Sequence, residues 1–460
     1  MKAQNNICNR DTLAGQLIER IKTALPRHNA GGKRFYRFAV EIDGLAGLDW
    51  LCIQKRQPKI YFSDRERNFE TAGIGVAQIL SDEPCFDLAK ALRTIEENLT
   101  LADSDIRYYG GICFDTESGP GQLWQRFGRF YFIVPEFEVR RVNDKTTFAF
   151  NVKYKPDDHR EEIIEKLLSS FEELNFDNES ACRPFESKAL SRVDCPSKSK
   201  WQENILRATE TLRLENIKKV VLSRKSTFKM SQTVDPIALL KQVSNNSINT
   251  YNFCFQLDES NAFVGCSPEC LYKKDQNNIY AEAIAGTCLT GKTKAQQRHF
   301  QEELLNSDKE IEEHRYVFDD VNADLNKICR RVSVLDQRDI ISLNYVQHFC
   351  SRFEGIEKDN INTQKIIETL HPTAAVNGYP KLAAKKEIRK YEPFSRGWYA
   401  GPIGWIGQNC AEFAVGIRSG LVQGKEISLF AGAGIVKSSD PASEWDELEN
   451  KLRPFLNVIG

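Results

Sequence analysis

The chain has 460 residues with 63 Lys+Arg against 64 Asp+Glu, a formal net charge of −1, 41% hydrophobic and 28% charged residues. At roughly 100 to 200 residues per domain this length implies two or three domains or one large enzyme core. The balanced charge excludes the basic excess of a nucleic-acid binder, and the absence of any run of 18 apolar residues or an apolar leader disfavours membrane spanning and export.

In chain order, Arg129–Val134 reads as a strand, and 147–154 alternates with Phe148, Phe150, Val152 and Tyr154 on one face. Residues 159–175 turn helical. The polar stretch from Asp177 to Lys200, with Pro184, Pro196 and several serines, reads as a surface connection. It divides the chain into an N-terminal half, 1–180, and a second half, 181–460.

Beyond it, helical periodicity marks 199–216, 294–330, 363–370, 379–390 and 440–453. Strands are expected at 218–228, 250–257, 279–285, 344–353 and 426–432. Two further antiparallel stretches, 397–407 and 411–422, are joined by Gln408-Asn409-Cys410. Strands and helices without strict βαβ alternation predict an α+β fold. The thirteen cysteines are an odd number without CxxC pairs, and Cys266 and Cys270 have no ligand cluster beside them. They are expected to be core thiols in a reducing cytoplasm rather than a disulfide framework or a zinc site.

Gly286-Thr-Cys-Leu-Thr-Gly291-Lys292-Thr293 fits the phosphate-loop pattern GxxxxGK[ST], and Val332-Ser-Val-Leu-Asp336 could be offered as its partner strand. The helix expected from 294 to about 330 is too long for a compact βαβ unit, so a nucleotide site is not the favoured reading. Gly432-x-Gly434 is a weaker signal still, because Lys437 stands where the third glycine of GxGxxG would be.

Glu310 and Glu313 lie three apart on one expected helix, and Glu444 and Glu447 lie three apart on another, so each pair shares a helical face. Such pairs can hold Mg2+ through one or two carboxylates and water, and the same spacing also describes a solvated acidic face. Strand 411–419 alternates Phe413, Val415 and Ile417 with Glu412, Ala414, Gly416 and Arg418. The second face reads as a cavity wall with one guanidinium suited to a carboxylate, or as a solvated strand side.

These motifs are dense enough to carry a resemblance. Lys218-Lys219-Val-Val-Leu-Ser-Arg224, Phe263-Val-Gly-Cys-Ser-Pro-Glu269, Ala283-Ile-Ala-Gly-Thr287, Glu313-His314 and Leu370-His-Pro-Thr-Ala-Ala375 occur in that order. Arg396-Gly-Trp-Tyr-Ala-Gly401, Ala414-Val-Gly-Ile-Arg418, Ala431-Gly-Ala-Gly-Ile435 and Ser439 to Glu447 with Asn450-Lys451 complete the set. From Lys200 to Phe455 the chain resembles the chorismate-utilising enzymes. The resemblance implies the chorismate-binding, anthranilate synthase component I-like fold: two large antiparallel β-sheets in a sandwich with helices outside, both halves forming one intertwined unit. It also implies chorismate as substrate and Mg2+ as cofactor.

The nucleophile follows from three positions. Lys219 stands where anthranilate synthases carry glutamine and resembles the water-activating base of isochorismate and salicylate synthases, so no glutamine amidotransferase subunit is expected. Ala285 stands where aminodeoxychorismate synthases place a nucleophilic lysine. Ala375, in place of the threonine of salicylate synthases, favours stopping at isochorismate. The form Trp398-Tyr399-Ala400-Gly401, with Leu48-Asp-Trp-Leu, Ile60-Tyr-Phe and Tyr109-Gly-Gly-Ile-Cys-Phe114, looks most like the menaquinone-pathway isochorismate synthases. Siderophore-pathway isochorismate synthases and salicylate synthases are the alternatives.

The implied roles are Lys219 as base, Glu269 as acid, and Glu313 and Glu447 as Mg2+ ligands, with Glu310 and Glu444 acting through water. Gly286, Thr287, Tyr399, Arg418, Gly432, Ala433, Gly434 and Lys451 are the substrate-holding candidates. For these roles Lys219 must be neutral and Glu269 protonated, both of which burial favours. His348 and His371 resemble family positions without a settled role.

Overall fold

Phe148 and Phe150 point to one side of the strand Lys145–Lys153, where they pack on Phe137 with ring centroids 5.9 and 5.4 Å apart. Phe171 of the helix Arg160–Glu172 closes over Phe148, so an alternating strand and an amphipathic helix bury each other's apolar faces. The computed structural model describes residues 10–27, 34–82, 87–176, 182–214, 217–291 and 293–460. Its strands form a twelve-stranded and a nine-stranded sheet, and every paired strand runs antiparallel to its neighbours. Eleven α-helices accompany them among the described residues.

Each sheet takes strands from both halves of the chain. Lys59–Ser63 pairs with Tyr251–Gln256 in the larger sheet, and Arg107–Ile112 pairs with Pro402–Gly407 in the smaller. The sheets meet face to face. Phe69 of the larger lies 5.5 Å from Trp405 of the smaller, and the Tyr251 hydroxyl donates to Glu412 across the interface. This is the expected α+β sandwich.

Several elements differ from expectation. The helix expected over 294–330 is two helices, Lys294–Asn306 and Asp308–Ile328, because Ser307 leaves helical geometry and its hydroxyl accepts the N–H of Glu310. The chain then continues as the edge strand Cys329–Ser342, whose largely exposed side chains hide its strand character. The connection 177–200 contains the strand Ala189–Cys195, paired with 225–230; residues 177–181 lie outside the described residues. Residues 397–401 form a turn, and the strand begins at Pro402.

The stretch 411–422 is not one strand. Cys410–Val415 belongs to the smaller sheet and Ser419–Gln423 to the larger, so face parity cannot run through Gly416–Arg418. Arg418 makes the crossing at φ +50°, in the left-handed region.

The phosphate-loop pattern begins inside the strand Asn278–Leu289, which pairs antiparallel on both sides, and Val332–Asp336 lies in an antiparallel strand too. Among the described residues no parallel crossover unit supports a nucleotide site there; Lys292 lies outside them. Cys52 and Cys182, 130 residues apart, form a disulfide, contrary to the expectation of free thiols throughout. Sequence spacing does not reveal a pair formed across the fold. Cys266 and Cys270 are free and buried. No helix among the described residues is long and apolar enough to cross a membrane.

Candidate active site

The site lies where the chain passes between the sheets. Asn261–Ser267 belongs to the larger sheet and Cys270–Asp275 to the smaller, and the crossing is made at Pro268-Glu269. The second crossing, Gly416–Arg418, runs beside it. Val415 N donates to Glu269 O at 3.0 Å, and Cys266 N donates to Arg418 O at 3.0 Å. Two sheet-switching segments thus bring a carboxyl and a guanidinium to one cavity, lined also by Pro268, Thr287, Glu313, His348, Tyr399, Gly432, Gly434 and Lys451.

Glu269 is 3% exposed, and burial pushes its carboxyl up to about 8; a hydrogen bond from Thr373 Oγ1 to Oε1 at 3.3 Å and the charge of Lys219 oppose this only partly. It therefore carries its proton at neutral pH. Lys219, 1% exposed, begins the strand Lys219–Met230 and places Nζ 2.9 Å from Glu313 Oε1. This ion pair joins Lys219 to one of the carboxylates expected at the metal. Gly434 sits opposite Val221, and a Cβ there would lie 2.4 Å from Glu313 Oε1 and 2.8 Å from Lys219 Cε. Only glycine leaves room for the pair.

The spacing puts each carboxylate pair on one helical face, and the fold brings the two pairs close together. Glu310 and Glu313 project from Asp308–Ile328, and Glu444 and Glu447 from Pro441–Ile459. Lys309 Nζ joins the helices, 2.9 Å from Glu444 and 3.5 Å from Glu310, and Thr287 N donates to Glu310 at 2.7 Å. Burial and the neighbouring Glu313 and Glu447 charges raise Glu310 and Glu444 above the usual carboxylate range. Burial also acts upward on Glu447, but the Lys451 ammonium outweighs it and holds Glu447 low.

Buried Glu444 Oε2 has no hydrogen-bond partner among the described residues. Four carboxylates, one with an orphaned oxygen, fit a hard divalent cation. Among the described residues no three His, Cys, Asp or Glu are grouped closely enough to hold a metal by themselves, so an ion here would take one or two protein carboxylates and complete its shell with water and substrate.

His348 lines the cavity. Its Nε2 is 3.3 Å from Arg418 Nη2 and its Nδ1 is 3.2 Å from Gly286 O. Arginine only donates, so Nε2 accepts and the proton sits on Nδ1. Burial, then Arg418, lowers its pKa to about 3, which keeps the ring neutral. His371 does not line this cavity; its Nε2 meets Phe114 O at 3.1 Å, a structural contact. Lys451 donates to Gly432 O at 2.8 Å, and Tyr399 stacks on Phe430 at 5.2 Å.

Gly432 and Gly434 line the cavity, whereas Ala433, between them on Glu426–Ile435, is wholly buried on the other face. Gly286 lies behind the wall, where a Cβ would press on Phe349 and the Glu310 carbonyl. Two contributors escaped the sequence reading. Lys309 adjoins a carboxylate that was singled out, and Thr373 stands inside a quoted motif, but neither spacing discloses a partner in space.

Comparisons with known proteins agree with this geometry. Residues 19–460 match the chorismate binding enzyme family. The chain is 31% identical to "Isochorismate synthase 2, chloroplastic" of Arabidopsis thaliana over 96% of this chain and 83% of the relative. It is 32% identical to "Isochorismate synthase MenF" of Bacillus subtilis over 76% and 74%. The solved structure of MenF, the menaquinone-specific isochorismate synthase from Escherichia coli, superposes with a TM-score of 0.85 at 26% identity, covering 97% of this chain and 99% of that one. With a family match over nearly its whole length and the same fold as a solved isochorismate synthase, the chain belongs to the chorismate binding enzymes.

Proposed function

We propose that this chain is an isochorismate synthase, an isomerase that moves a hydroxyl from C4 of chorismate to C2, with Mg2+ as cofactor, in the supply of menaquinone. The observation that carries this reading is a buried Glu269, pushed up to about 8, in a cavity that also presents Glu313, Arg418 and Lys451, with the buried Lys219 paired to that Glu313 just outside the cavity lining. Likeness to the MenF proteins supports the pathway. The reading has the enzyme act in the cytoplasm without an amidotransferase subunit, since water and not ammonia is the nucleophile.

In this mechanism Lys219 takes a proton from the water that adds at C2, while Glu269 gives its proton to the hydroxyl leaving C4. Arg418, Lys451 and the backbone at Gly432 and Gly434 hold the substrate carboxylates, and neutral His348 orients Arg418. Glu313 and Glu447 would hold Mg2+ directly, with Glu310 and Glu444 through water. Mg2+, when bound, supplies positive charge to the ring carboxylate. Ala375 lines the cavity without a hydroxyl, which favours stopping at isochorismate over eliminating pyruvate.

The test is purified protein with chorismate and Mg2+, with the products separated by chromatography. Isochorismate alone is expected. Salicylate with pyruvate would favour salicylate synthase, and anthranilate formed only with added ammonia would overturn the assignment of Lys219.

A further inference from the structure

We propose that Thr373 is a positioning residue that orients the acid: by donating its hydroxyl proton to Oε1 of Glu269 it leaves the carboxyl's own proton on Oε2. The inference rests on the reading of Glu269 as the acid. A neutral carboxyl can carry its proton on either oxygen, and only one of the two can face a leaving group. Thr373 Oγ1 lies 3.3 Å from Oε1, whereas Oε2 takes no hydrogen bond from any described residue. The carboxyl itself lines the cavity.

Thr373 is held firmly enough to make this choice. It is β-branched and 3% exposed, and its carbonyl accepts from Val376 N at 3.2 Å and Asn377 N at 3.0 Å. The next residue, Ala374, donates its N–H to Asp320 at 2.9 Å, and Arg396 Nη1 donates to Val376 O at 2.7 Å. Asp320 belongs to Asp308–Ile328, the helix that carries Glu310 and Glu313. One helix therefore presents the carboxylates and anchors the loop that aims the acid. The other charged groups acting on Glu269 are Lys219, Glu282 and Lys451, each on a different element, and Arg65 reaches the adjoining Pro268 carbonyl at 3.0 Å.

The experiment compares Thr373→Val, Thr373→Ser and Glu269→Gln in kcat, KM and the pH profile of kcat. Valine keeps the shape and removes the donor. A hydrogen bond that favours the carboxylate is then lost, so the alkaline limb should move to higher pH, kcat should drop roughly 10- to 100-fold, and KM should stay within about threefold. Serine keeps a donor and should restore the parental limb with kcat within about threefold.

A Thr373→Val enzyme whose alkaline limb does not move overturns the inference whatever its kcat, and so does a Thr373→Ser enzyme as impaired as the valine variant. Glu269→Gln separates the two levels. If it turns over normally, the acid assignment falls and takes this inference with it; if it is inactive while Thr373→Val keeps the parental profile, only the role of Thr373 is lost.

Discussion

Glu138 and Glu269 are glutamates of nearly equal burial, at 0% and 3% exposed, in opposite charge states. Glu138, on Phe137–Val142 of the larger sheet, receives Arg140 at 3.0 and 2.9 Å, Arg37 at 3.3 Å, the Tyr109 hydroxyl at 2.6 Å and Thr71 at 2.8 Å. Burial alone would raise it, but these partners pull its pKa down to about 2. Glu269 has one hydroxyl donor, and burial carries it up to about 8. Burial sets the stakes, and the number of donors and counter-charges decides which form is kept. The first site ties strands together with a charge; the second keeps a proton that the proposed mechanism transfers.

Replacing the stored proton is expected to have the largest effect. Glu269→Gln and Lys219→Ala should each lower turnover by about 10²- to 10⁴-fold with much smaller changes in chorismate affinity, in both reaction directions. Near-parental rates for Lys219→Ala would mean that another group activates water. Glu269→Gln also sharpens the contrast in stability. A carboxyl raised from 4.5 to about 8 makes the folded state bind more protons than the unfolded one between those values, so its contribution is complete below about 4.5 and is lost as pH rises through 8. The glutamine variant, which cannot ionise, should gain melting temperature relative to the parent from pH 5 to pH 9.

Glu138→Gln should do the reverse. It leaves two buried guanidiniums under-paired and should cost roughly 3–5 kcal/mol in denaturant unfolding. The sign of the pH dependence also inverts: the depressed carboxyl stabilises fully above 4.5 and loses that contribution, about 3 kcal/mol, as pH falls toward 2. A Glu138→Gln protein as stable as the parent at pH 7 would break the comparison.

The helix carboxylates fall between the two cases. Glu447, held low by Lys451, should matter more to a cation than Glu444, which is raised by burial. Glu447→Gln is expected to raise the Mg2+ needed for half-maximal activity about tenfold or more, and Glu444→Gln by about threefold at most. Identical curves would place the ion elsewhere. The smallest effect is expected at Lys292→Ala, within about twofold in chorismate turnover, because the surrounding strands are antiparallel and build no phosphate loop.

Much of the local structure could be read from the chain. Alternation exposes Lys145–Lys153, Lys219–Met230 and Glu426–Ile435, and three-residue spacing brings Glu310 to Glu313 and Glu444 to Glu447. Motif order singles out Lys219, Glu269 and Arg418. Cys329–Ser342 was not legible, because an edge strand solvated along most of its length has no apolar face to alternate. The break at Ser307 was hidden for a different reason: a cap is one hydrogen bond inside an otherwise continuous helical pattern.

By itself, then, the sequence determined many of the strands and helices and which residue types its motifs single out, since periodicity and motif order are properties of neighbouring residues. Only the tertiary structure decided that 411–422 changes sheets at Gly416–Arg418, that Cys52 joins Cys182, that Lys219 leans on Glu313, and that the Thr373 hydroxyl meets Glu269. A buried group's charge and aim depend on what stands within a few ångströms. Here those neighbours come from elements tens to hundreds of residues apart, brought together by two sheets that each draw strands from both halves of the chain.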